Sequence, residues 1–185
     1  GANYYFAPDG AMQTGFFPID GKYYYFNAEG VMQTGWQTMQ GQRFYFDPAS
    51  GIMQTGLISD GTNQYYLAPN GAATVGWQDV GGKRYHFDET TNAMSVNTLV
   101  TTNGVTFFVG IDGTVQTGWQ NVGGVLYYFQ EDGSMAVNVA LTIDGVPYQF
   151  DANGIGTAVI VPVLDPAAPV PGAVVPAPEA PLPVS

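Results

Sequence analysis

The chain has 185 residues, 45% apolar and 14% aromatic, enough of both to fold rather than stay disordered. Its net charge is −11 and its four basic residues, Lys22, Arg43, Lys83 and Arg84, all precede residue 85, which argues against nucleic acid or an anionic membrane as partner, since both need a basic footprint. The absence of cysteine excludes a disulfide framework, a thiol nucleophile and a thiolate metal site, and no apolar run approaches the roughly 18 residues of a membrane span.

Internal repeats decide the architecture before any local reading. The chain opens on a partial unit, "GANYYFAPDG", so upstream sequence carrying another domain is expected. Full units start at Gly15, Gly35, Gly56, Gly76, Thr98, Gly118 and Val139, spaced 20 to 22 residues apart. The first has the turn Asp20-Gly21 and a second strand "YYYF", and the second has Gln40-Gly41 and "RFYF". The third carries "QYYL", the fourth Gly81-Gly82 with "RYHF", and the fifth Asn103-Gly104 with "TFFV". The sixth has Gly123-Gly124 and "LYYF", and the seventh Asp144-Gly145 and "PYQF". Such turn pairs tolerate the positive φ that two-residue hairpin loops demand, and alternate strand positions can face inward, so each unit predicts a β-hairpin.

One hairpin is not stable alone in water, whereas stacked hairpins cover one another's rings, each contributing on the order of 2 to 3 kcal/mol when buried. The expected fold is therefore all-β, a solenoid of seven to eight stacked hairpins over residues 1–158. Residues 159–185 hold eight of the thirteen prolines and read as an extended linker or tail.

Units such as "GWQTMQGQRFYFDPASGIMQT" and "GWQDVGGKRYHFDETTNAMSV" resemble the cell-wall-binding repeats of Gram-positive surface proteins. That superfamily includes choline-binding repeats, the glucan-binding repeats of streptococcal glucansucrases and the combined repeats of large clostridial toxins. The resemblance implies a left-handed hairpin solenoid, ligand grooves between successive units, and no catalysis. It also implies, for a choline site, three rings: the Gly-Trp position, the residue seven further on, and the third position of the next unit's triplet. In the first interval these are Phe16, Tyr23 and Tyr45. Later intervals give Trp36, Arg43 and Tyr66; Leu57, Gln64 and His86; Trp77, Arg84 and Phe108; Leu99, Thr106 and Tyr128; and Trp119, Leu126 and Gln149.

Only the first interval has three aromatics. Arg43 and Arg84 would repel a quaternary ammonium and could themselves lie over Trp36 or Trp77, whereas Arg beside Trp suits a sugar, the indole stacking on the pyranose and the guanidinium donating to hydroxyls. The sequence thus favours a polysaccharide or cell-wall glycan as partner, with choline as the alternative, no cofactor and no metal. The expected role is a non-catalytic, secreted or cell-surface module that anchors an attached protein. A structural spacer that self-associates into a homodimer through its terminal repeats or tail is the reading from another class. The tryptophans and the Phe16, Tyr23 and Tyr45 rings can be core, and the Arg stems can cover apolar surface. His86, alone of its kind, suits packing better than metal binding. The adjacent acids Asp88-Glu89 and Glu131-Asp132 belong to turns and not to a glycosidase pair, which needs two carboxylates facing across a cleft.

Overall fold

The doublets that predict tight turns adopt left-handed backbone in the computed structural model, which describes residues 1–159. Asp20 and Gly21 have φ of 48° and 74°, and Gln40 and Gly41 have 50° and 77°. Two successive positive φ values match the right-handed twist of the strands they join. The hairpins follow in chain order: β1 (Gly15–Ile19) with β2 (Lys22–Phe26), β3 (Gly35–Met39) with β4 (Gln42–Phe46), β5 (Gly56–Ser59) with β6 (Gln64–Leu67), and β7 (Gly76–Val80) with β8 (Lys83–Phe87). Then come β9 (Thr98–Thr102) with β10 (Val105–Val109), β11 (Gly118–Val122) with β12 (Val125–Phe129), and β13 (Ala140–Ile143) with β14 (Val146–Phe150), the last extended by β15 (Gly156–Ala158). The third hairpin departs from the two-residue rule: Asp60 to Asn63 form a longer loop in which the Asp60 carboxylate accepts the N–H groups of Thr62 and Asn63. There is no helix among the described residues. The Pro-rich tail expected from 159 onward lies outside them but for its first residue.

Pairing register explains how the hairpins stack. In β3–β4, Trp36 stands opposite Tyr45 and Thr38 opposite Arg43. Successive strand residues point to opposite sides, so Trp36, Arg43 and Tyr45 share one face of the hairpin while Phe44 and Phe46 share the other. The first face of each hairpin meets the second face of the next. Tyr25 packs on Phe46 at 6.1 Å, Tyr66 on Phe87 at 6.2 Å, Phe108 on Phe129 at 6.0 Å and Tyr128 on Phe150 at 6.0 Å between ring centroids. The residue closing each second strand is the core of the stack: Phe46, Leu67, Phe87, Val109, Phe129 and Phe150 are all fully buried.

The looser connections lock the stack through the backbone. The N–H of Met53 donates to the carbonyl of Tyr23, that of Ala73 to Arg43, and that of Met94 to Gln64, each at 2.7 to 2.8 Å. Each connection is thus pinned to the hairpin before its own. Close approach accompanies the pinning: at Gly51, φ is 72° and a Cβ would lie 2.6 Å from the Met32 sulfur. Only glycine meets both conditions without strain.

Candidate functional site

The contact of opposite hairpin faces builds the same motif repeatedly. The ring at the Gly-Trp position of one hairpin meets, edge to face, a ring on the opposing face of the next. Phe16 meets Phe44 at 5.1 Å, Trp36 meets Tyr65 at 4.6 Å, Trp77 meets Phe107 at 5.1 Å and Trp119 meets Tyr148 at 5.1 Å. Tyr23, Arg43 and Arg84, each seven positions after the first ring of its interval, stand beside that pair of rings.

This geometry corrects the third member of each predicted set by one residue. Tyr45, Tyr66 and Phe108 do not face the intervals to which the spacing rule assigned them; Phe44, Tyr65 and Phe107 do. The reason is strand parity: Tyr45 belongs to the face of its hairpin that carries Trp36, 5.1 Å away, and looks toward the following hairpin. Tyr66 and Phe108 likewise cover Phe87 and Phe129. The signal was available in the alternation itself, because Phe44 shares parity with the buried Phe46.

In the first interval Phe16, Tyr23 and Phe44 line one groove of about 590 Å³, together with Met53 and, from the connection after the third hairpin, Pro69 and Asn70. Phe44 is 8% exposed and forms the floor, while Phe16 at 40% and Tyr23 at 49% form walls open to solvent. Lys22 stands at the rim.

In the second interval the same space holds a guanidinium. The Arg43 Cζ lies 4.1 Å from the Trp36 ring centroid and 5.9 Å from that of Tyr65. Its Nη1 donates to the Thr91 carbonyl at 2.7 Å and to Asn92 Oδ1 at 3.3 Å, so the side chain ties the second hairpin to the connection after the fourth. The Trp36 indole N–H donates to Asp60 Oδ2 at 3.1 Å. The N–H groups of Asn63 and Thr62, with Trp36 and Tyr65, hold the Asp60 carboxyl down at about 2, and burial with the Asp60 bond pushes the Tyr65 phenol up.

The fourth interval repeats the arrangement more openly. Arg84 Cζ lies 4.9 Å from Trp77 and 5.7 Å from Phe107, and the Trp77 indole donates to Thr102 Oγ1 at 3.1 Å. On the same hairpin His86 stacks edge-on against Trp77 at 4.9 Å with Nδ1 2.9 Å from Ser95 Oγ, and burial lowers its pKa. The sixth interval has Trp119, Tyr148 and the exposed Leu126; among the described residues no acceptor takes the Trp119 N–H. The turn acids behave as the sequence suggests: Asp88 Oδ1 accepts the N–H groups of Thr90 and Thr91. No cluster of three His, Cys, Asp or Glu suited to a metal occurs among the described residues.

The chain matches the model of the choline-binding repeat over residues 1–32, 14–56, 33–75 and 116–155, and that of a cell wall binding repeat over 75–90. Among solved structures it is similar to CbpJ from Streptococcus pneumoniae TIGR4, with 26% identity and a TM-score of 0.74 over 84% of this chain and 56% of that one. It is also similar to choline binding protein F from Streptococcus pneumoniae, with 30% identity and a TM-score of 0.69 over 85% of this chain and 55% of that one. The same protein in the presence of a peptidoglycan analogue, a tetrasaccharide-pentapeptide, gives 31% identity and a TM-score of 0.70 over the same shares, 85% and 55%. This chain therefore spans about half the length of these structural relatives. No curated protein sequence matches it.

Proposed function

The chain belongs to the choline-binding repeat family, and from that premise we propose that it is a non-catalytic module holding an attached protein at a cell surface by gripping choline carried on a wall polymer. The observation that carries this reading is the first interval, where two open rings and one buried ring surround a groove that contains no guanidinium. A quaternary ammonium cannot donate hydrogen bonds and gains its binding from ring faces, up to about 2 kcal/mol for a desolvated contact. The groove provides rings where such a ligand needs them, while Lys22, Thr55 and Asn70 supply its polar lining. In the second and fourth intervals a guanidinium already lies by the indole, and Arg43, bonded to Thr91 and Asn92, also serves as a link between hairpins.

This moves the balance away from the saccharide favoured by the sequence. Arg43 spends Nη1 on Thr91 and Asn92 and lies over the Trp36 face, and the indole N–H groups of Trp36 and Trp77 donate within the protein, which leaves them less to offer a sugar. A glycan remains the second reading at Trp119, whose indole N–H is unclaimed among the described residues and whose neighbour Leu126 is 53% exposed. Retention on a choline column separates the two: choline-eluted retention lost on Tyr23→Ala supports the first interval, whereas passage through the column with glucan or peptidoglycan binding lost on Trp119→Ala supports the second. Self-association is the third reading, and a monomer by light scattering removes it.

A further inference from the structure

The groove at the fourth interval differs in charge from its counterpart at the first. Lys83 and Arg84 form one wall and Glu131 and Asp132 the other, around a volume of about 300 Å³. In the first groove the corresponding residues are Lys22 and Tyr23 on one side and the neutral Pro69 and Asn70 on the other. The two guanidinium groups also differ. Arg43 is held by Thr91 and Asn92, whereas Arg84 is exposed, has its Cζ 4.9 Å from the Trp77 ring centroid and 5.7 Å from that of Phe107, and among the described residues donates to nothing. Its donor fork beside the two rings is thus unspent, which two-pronged recognition of an anionic oxygen pair requires. Across the groove Asp132 Oδ1 accepts from the N–H and hydroxyl of Ser134, at 2.9 and 2.6 Å, which fixes the carboxylate; the Ser134 hydroxyl and N–H also hold its pKa below the usual range. Glu131 stands beside it, exposed.

We propose that this groove is a second binding site, for a small zwitterion with a carboxylate and an N–H-bearing ammonium, of the amino-acid or short-peptide type. Asp112, whose pKa is lowered chiefly by the Thr114 N–H, lies close enough to Lys83 for that ammonium to help lower it, which leaves Arg84 as the unpaired cation facing Glu131 and Asp132. A simple anion or cation gains from one side and is repelled by the other, while a zwitterion satisfies both. A quaternary ammonium is disfavoured because no aromatic ring lines this groove and its acidic residues are carboxylates that seek hydrogen-bond donors. The site is independent of the choline reading and rests on different residues.

The test is a nuclear magnetic resonance titration of the ¹⁵N-labelled chain with alanylalanine, following the amides of Gly82 and Gly133 and the Trp77 indole. The result expected is saturable shifts confined to these groups. Binding should weaken at least about fivefold for both N-acetyl-alanylalanine and alanylalanine amide, and at least about tenfold for Arg84→Gln and for Glu131→Gln, in line with loss of one charge-assisted contact. A choline titration of the first groove, followed at Gly21, serves as the reference and should be unaffected by either variant, so failure here and failure of the choline site are told apart. No shift at millimolar dipeptide, equal binding of the singly charged analogues, retention in Arg84→Gln, or tighter occupation of the same groove by phosphocholine would each overturn the proposal.

Discussion

Replacing Phe44 or its neighbour Tyr45 by leucine tests the placement of the choline groove at single-residue precision. Phe44 is the floor of the groove, 8% exposed and 5.1 Å from Phe16, while Tyr45 points away and packs on Trp36 at 5.1 Å. Leucine keeps part of the apolar volume at either site, so each variant should remain folded with a loss of roughly 1 to 3 kcal/mol, checked by urea denaturation. A buried ring face contributes toward the upper end of the cation–π range, about 1 to 2 kcal/mol, and every 1.4 kcal/mol is tenfold in affinity. Phe44→Leu should therefore weaken choline binding by about 5- to 30-fold in isothermal titration, and Tyr45→Leu should leave it within about twofold. Loss in Tyr45→Leu with retention in Phe44→Leu would refute the face assignment on which the site is built.

Arg43→Gln removes the guanidinium over Trp36 and its bonds to Thr91 and Asn92, and should lower stability by about 1 to 3 kcal/mol in urea denaturation without weakening choline binding at the first groove. Gly51→Ala forces a left-handed backbone on alanine against Met32 and should cost more than about 1 kcal/mol, seen as a lowered Tm. Asp60, depressed from 3.8 to about 2, stabilises the fold above pH 3.8, and that contribution is lost as pH falls through about 2. Acid titration of Trp36 fluorescence in a Trp77→Phe, Trp119→Phe background should show this transition, and Asp60→Asn should abolish it.

The hairpins were legible because their signals are local. Asp20-Gly21 and Gln40-Gly41 declare left-handed turns, and the closing rings of "YYYF" and "RFYF" declare the buried side. The sequence also suggested a guanidinium over Trp36 and Trp77, since opposite parity was not needed to place Arg43 or Arg84 beside a ring on its own hairpin. The third ring of each groove was misplaced because spacing counted along the chain does not say which hairpin faces touch; that depends on the stack. Nor could sequence reveal the Asp60 bond to Trp36 or the Arg43 tie to Thr91, which join residues 24 and 48 positions apart through the packing of one hairpin on another.

The most direct measurement is a crystal structure of the chain soaked with increasing choline. The account predicts that density for the trimethylammonium group appears first between Phe16, Tyr23 and Phe44, with Arg43 still over Trp36 and Arg84 still over Trp77. Choline that displaces either arginine while the first groove stays empty, or that binds nowhere on the stack, would contradict it.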